Sequence, residues 1–135
     1  MDEKKQFHLE MIQGVINRIA HNSFLIKGWT VLLISSLFAL AANNSNKYFL
    51  YLAYFPAISF WILDGYYLWQ EKLFRALFDH VRLLKENDID YSMNTSFVKE
   101  RVAPWERVIF SKTISIFHGI IFILILLVMI ISLFL

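Results

Sequence analysis

The chain has 135 residues, of which 58% are hydrophobic, 17% aromatic and only 18% charged. A soluble domain runs at about 45–50% apolar and about 25% charged, so the composition points to an integral membrane protein with room for one domain. Thirteen basic and eleven acidic residues give a net charge of +2, too small an excess to suggest a nucleic-acid partner, and the absence of cysteine excludes disulfides, thiolate metal sites and cysteine nucleophiles.

The first 23 residues are amphipathic and mixed in charge, with no apolar core and no small-residue cleavage site, so they do not read as a secretory signal. Ile12, Val15, Ile16 and Ile19 form a short apolar stripe that predicts a cytosolic helix over 1–23. A first membrane span is predicted over Phe24–Ala42, and the polar run Asn43 to Lys47 reads as a turn. A second span follows at Tyr48–Leu68, making a helical hairpin with the first. Pro56 lies inside it and should kink the helix by freeing the carbonyl of Leu52.

Leu73, Phe74, Leu77, Phe78, Val81 and Leu84 continue as an apolar stripe, so a cytosolic helical extension is predicted over 69–86. Two readings are open for the two stripes: each lies on the membrane surface, or they bury each other in a bundle. Mutual burial is the better fit, because neither helix has a lysine-rich polar face. Residues 87–103 are polar and turn-rich and read as a cytosolic loop. Their Asp/Asn series lacks the Gly at the sixth position and the acidic twelfth ligand of a calcium loop. The segment 104–135 begins with Pro104 and Trp105 at the interface and ends in a third span. Ile114–Leu135 has no charged residue, and at 1.5 Å per residue its length matches a hydrocarbon core of about 30 Å.

Twelve of the basic residues fall in 1–27 and 72–112, and the hairpin turn carries only Lys47. The positive-inside rule therefore predicts a cytosolic N-terminus and an extracytosolic C-terminus. Trp29 and Trp69 fall near the inner boundary, and Tyr48 and Tyr51 near the outer one. The expected fold class is all-α: one membrane domain, a three-span bundle with amphipathic cytosolic extensions.

Chemistry has few places to be. His8, His21, His80 and His118 are scattered, and there is no HExxH, no GxSxG and no Gly-rich phosphate loop. Ser115 and His118 are close in sequence without an oxyanion hole in view. No enzyme, cofactor or metal is expected. Asp64 stands out, since an acid inside a span is unfavourable by about 2–3 kcal/mol unless it faces protein or water. One reading has it snorkelling or bonded near the interface. The other places it on an ion or proton path. Its expected partners are Lys27, Lys112 and His118, and an intramembrane cluster of Asp64, Lys112, His118 and Lys27 is the candidate site. Small residues mark close packing: Gly28, Ser35, Ala39 and Ala42 in the first span, Ala53 and Ala57 in the second, Ser111, Ser115 and Gly119 in the third.

Several motifs carry a resemblance. These are Asn22-Ser23-Phe24 with Lys27-Gly28-Trp29, Ala53-Tyr54-Phe55-Pro56, and Phe60-Trp61 with Leu63-Asp64-Gly65-Tyr66. Glu71-Lys72 with Arg75, Phe110-Ser111-Lys112-Thr113 and Phe117-His118-Gly119 complete the set. From about Ile12 to His118 the chain resembles a family of small, uncharacterised bacterial inner-membrane proteins, which implies no particular chemistry. More loosely, a membrane hairpin with amphipathic cytosolic helices is similar to the SLATT-type effectors of bacterial defence operons, from which it departs by its third span. That resemblance implies a homo-oligomer that permeabilises the inner membrane when a cytosolic protein or a nucleotide signal triggers it. The competing expectation is a non-conducting anchor or scaffold subunit of a larger complex.

Overall fold

The computed structural model describes residues 3–44 and 46–135, and Ser45, at the centre of the predicted turn, lies outside them. The described residues form helices and turns without strands. Helix α1 runs unbroken over Glu3–Asn44, so the predicted N-terminal helix and the first span are one rod of 42 residues. No proline interrupts this stretch, and its interior glycines, Gly14 and Gly28, weaken but do not stop a helix. Helix α2 covers Tyr48–Leu52 and α3 covers Tyr54–Arg82. The break between them is the effect of Pro56, which has no N–H to offer the Leu52 carbonyl. The Ala53 amide turns back to the Leu50 carbonyl at 3.2 Å, and the ladder resumes with the Ala57 amide on Ala53 at 3.2 Å.

α3 carries the larger part of the second predicted span, from Tyr54 on, and most of the following stripe in one helix, and α2 holds the start of that span; α3 stops at Arg82 rather than near 86. Two 3-10 turns, Glu86–Asp88 and Ser96–Arg101, organise the following loop. The last segment is two helices: α4 over Trp105–Ile109 and α5 over Lys112–Phe134.

The break at Phe110–Ser111 follows from contacts with α3. The indole of Trp61 donates to the Ile109 carbonyl at 2.9 Å and so satisfies the end of α4. Gly65 lets α4 lie against α3, since a Cβ there would sit 2.7 Å from Ile109 Cγ1 and 2.9 Å from its Cα.

The two apolar stripes bury each other. Leu9, Ile12 and Ile16 of α1 pack with Leu77 and Val81 of α3, and Val98 of the second 3-10 turn closes the cluster. A second apolar cluster, Ile34, Ala53, Ala57 and Ile125, lies at the opposite end of the bundle. The stripe on α3 is thus largely covered within the chain, and Leu83 is the residue of that stretch left well exposed. α1 covers core positions of this stripe, and the loop supplies Val98.

Of the three predicted spans, two helices are long and apolar enough to cross a membrane, Glu3–Asn43 and Lys112–Phe134. The surface of the bundle is a belt of exposed large apolar side chains. Phe24, Leu32, Phe55, Ile120, Leu127 and Ile131 are among them. Soluble monomers rarely expose contiguous apolar patches beyond a few hundred Å², so a belt of this extent is compatible with membrane association.

Candidate functional site, a buried carboxylate between three helices

The polar layer between the two apolar clusters is built from α1, α3 and α5. Asp64 is fully buried on α3, next to Gly65. Ser23 and Lys27 approach it from α1, where their i,i+4 spacing puts both on one face, and the Lys27 ammonium bonds the Ser23 hydroxyl at 3.0 Å. The Ser23 hydroxyl donates to Asp64 Oδ1. Lys27 Nζ donates to Oδ2 at 2.6 Å, and His118 Nε2, from α5, lies 2.8 Å from the same oxygen. Asp64 therefore meets a partner from each neighbouring helix, and three donors share its two oxygens.

Aromatic rings enclose this layer. Trp61, one turn before Asp64, stacks on His118 with centroids 6.0 Å apart and planes at 17°. Phe117 stands edge-on to His118 at 5.0 Å, and Lys27 Nζ lies 5.9 Å from the Phe117 centroid. His118 is itself buried, and its Nδ1 has no hydrogen-bond partner. Nε2, facing a carboxylate oxygen that can only accept, is the nitrogen that donates to Asp64. The Asp64–Lys27 pair is then neutral overall, and the low local dielectric strengthens each contact.

The structure brings together three of the four expected residues, Asp64, Lys27 and His118. Lys112 is corrected: it is exposed and opens α5 rather than pairing with Asp64. The reason is geometric. Six residues before His118, it points about 120° away around the helix, and the turn at Phe110–Ser111 directs the start of α5 outward. Ser23 and Trp61 are functional neighbours that sequence reasoning left out of the site. The Ser23–Lys27 spacing was the available signal for the first. For Trp61 the signal was its position three residues before Asp64.

Chemically, the arrangement fixes three helices in register through one carboxylate. Its order is unlike a hydrolytic triad, because the carboxylate, not the imidazole, stands between the hydroxyl and the third member. Among the described residues no group of three His, Cys, Asp or Glu side chains converges as a metal site would need. Comparison with known proteins gives no match: no family model, no curated protein and no solved structure is similar to the chain. The functional reading therefore rests on the geometry.

Proposed function

We propose that the chain is a three-span bacterial inner-membrane protein, with its N-terminus cytosolic and its C-terminus outside, acting as a homo-oligomeric, channel-like effector engaged by a cytosolic protein or nucleotide signal. One observation carries this reading, the outward face of α1. Phe7, Gly14, His21, Gly28, Ser35 and Ala42 recur at every seventh residue, interleaved with Met11, Arg18, Leu25, Leu32 and Ala39. All are exposed except the half-buried Gly14, and a Cβ added at Gly14 or Gly28 would meet nothing within 4 Å. A seven-residue repeat with small members suits parallel helices approaching closely in lipid. Its lower part is concave, a groove of about 590 Å³ lined in part by Phe7, Met11, Gly14, Arg18 and Phe74.

The interior of one chain is a poor conductor. Ile34, Ala53, Ala57 and Ile125 fill it beyond the Asp64 layer, so an ion path would form between copies. Arg18, His21 and Ser35 on the shared face would line its walls. The alternative, a non-conducting scaffold subunit, draws on the same dry core and on the three-helix clasp at Asp64.

Gly28→Leu tests the assembly without touching the fold, because the space beside Gly28 is open. The native chain should run as an oligomer in mild detergent and pass current in a planar bilayer, and Gly28→Leu should run as the 16.0 kDa monomer and pass none. An oligomer without current in either protein would select the scaffold reading. A native chain that is monomeric at all concentrations would remove both assembly arguments.

A further inference from the structure

His8 has no part in the cluster around Asp64. It lies on α1 beside the core of Leu9, Ile12, Leu77, Val81 and Val98, and it is fully buried. Neither ring nitrogen has a hydrogen-bond partner. Its ring stands edge-on to Tyr91 at 5.4 Å, with planes at 76°. Tyr91 belongs to the loop after α3 and holds a left-handed backbone, φ 60°, which non-glycine residues adopt at a cost. A strained loop residue is thus seated on a buried, unbonded imidazole.

We propose that His8 is an acid-operated latch: as a neutral ring it seats the 89–101 segment on the α1–α3 pair, and on taking a proton from solvent it releases that segment. The imidazolium would be a charge in an apolar core with both N–H groups unsatisfied, and opening the loop gives it water.

The surrounding charges are few. Asp90 acts on His8 from the loop and favours the charged ring, but burial outweighs it and holds His8 below the ordinary histidine value. On α1, Lys4 and Lys5 stand about one turn before it, and Lys5 donates to the Leu84 carbonyl at 2.7 Å. On the α3 side, Arg82 pairs with Asp79, and His80 is held by Arg101 at 3.4 Å and by the Phe97 ring at 4.7 Å. His80 is therefore the competing titratable group.

The sign follows from the lowered value. The unfolded or opened chain binds the proton more readily than the closed one, so closure is complete above the ordinary histidine pKa and weakens as pH falls below it. The latch holds whether or not copies meet along α1.

Hydrogen exchange of amides 89–101 in the full-length, detergent-solubilised protein, corrected for intrinsic exchange, reads the latch at pH 7.5 and pH 5.5. The native chain should lose protection about threefold or more on acidification, within the tenfold per pH unit that one proton allows. His8→Phe should keep its protection at both values, and His80→Gln should lose it as the native chain does. Asp90→Asn removes a charge that favours the imidazolium in the closed state, so its loss of protection at pH 5.5 should be larger than the native chain's. Unchanged protection in the native chain, or the same loss in His8→Phe, overturns the proposal, as does abolition of the loss by His80→Gln. Should His8→Phe be unprotected at both values, Asp90→Asn decides: a larger loss at pH 5.5 than in the native chain supports the latch and an unchanged or smaller one overturns it.

Discussion

Two buried histidines divide the molecule into two kinds of interior. His118 sits in a polar layer where its Nε2 meets a carboxylate that also holds an ammonium and a hydroxyl. His8 sits beside an apolar core with no partner for either nitrogen. The polar layer joins three helices through directional bonds, so it specifies which faces meet and at what height. The apolar core joins α1, α3 and the loop chiefly through buried area, with few directional bonds such as Lys5 to the Leu84 carbonyl, which tolerates sliding and opening more readily. Buried charge is therefore concentrated where register matters most, and the neutral, unbonded ring lies where a segment can leave.

Removing the carboxylate from the polar layer should have the largest effect. Asp64→Asn keeps the Ser23 contact but leaves Lys27 without its counter-ion. Breaking a buried pair from one side costs roughly 3–5 kcal/mol. The lower end is expected, because the Lys27 side chain is 30% exposed and can turn its ammonium outward. Thermal unfolding in detergent, followed by far-ultraviolet circular dichroism, measures this. Adding Lys27→Met to Asp64→Asn should recover part of the loss. If the double variant is as unstable as the sum of the two singles, the pair is not what holds the layer.

A smaller effect is expected where the polar layer meets α4. Gly65→Ala would place a methyl 2.7 Å from Ile109 Cγ1 and 2.9 Å from Ile109 Cα. The backbone contact cannot be relieved by a rotamer change, so α4 must move, at a cost of about 1–3 kcal/mol. The shift would also strain the bond from Trp61 to the Ile109 carbonyl, so in a background with Trp29, Trp69 and Trp105 replaced by Phe the emission should move to the red. Ile109→Ala should restore stability only in part, since it removes the Cγ1 clash and leaves the Cα one. Full recovery would show that side-chain crowding alone is at work.

The sequence made some of this legible. Apolar period and length located the long helices, because long apolar stretches and stripes are written in consecutive residues. The mutual burial of the two stripes, seen in Ile12 and Ile16 against Leu77 and Val81, was legible because neither helix has the lysine-rich polar face of a membrane-surface helix. Asp64 was legible as an anomaly of depth. Its true lysine was one of two candidates, and only the turn at Phe110–Ser111 separates them. That turn was not legible, because it depends on Gly65 and Trp61 meeting Ile109 across more than forty residues of chain. The unbonded state of His8 was hidden for a similar reason, since it needs the loop to fold back over α1.

Lys112 gives the smallest expected effect and the sharpest contrast with Lys27. Both are lysines near the ends of apolar stretches, and by sequence both were partners for Asp64. In the structure Lys27 reaches Oδ2 at 2.6 Å, whereas Lys112 is exposed at the first turn of α5. A cation at a helix N-terminus is, if anything, slightly unfavourable to the dipole. Lys112→Gln should therefore change stability by no more than about 0.5 kcal/mol in either direction, as for an ordinary surface site. Combined with Asp64→Asn, Lys112→Met should recover none of the lost stability, in contrast to Lys27→Met. The pair of double variants, unfolded side by side in the same detergent, reads directly which lysine the carboxylate holds. Rescue by Lys112→Met would mean that α5 is turned so that its first residue faces Asp64, and the helix break at Phe110–Ser111 would then have to lie elsewhere.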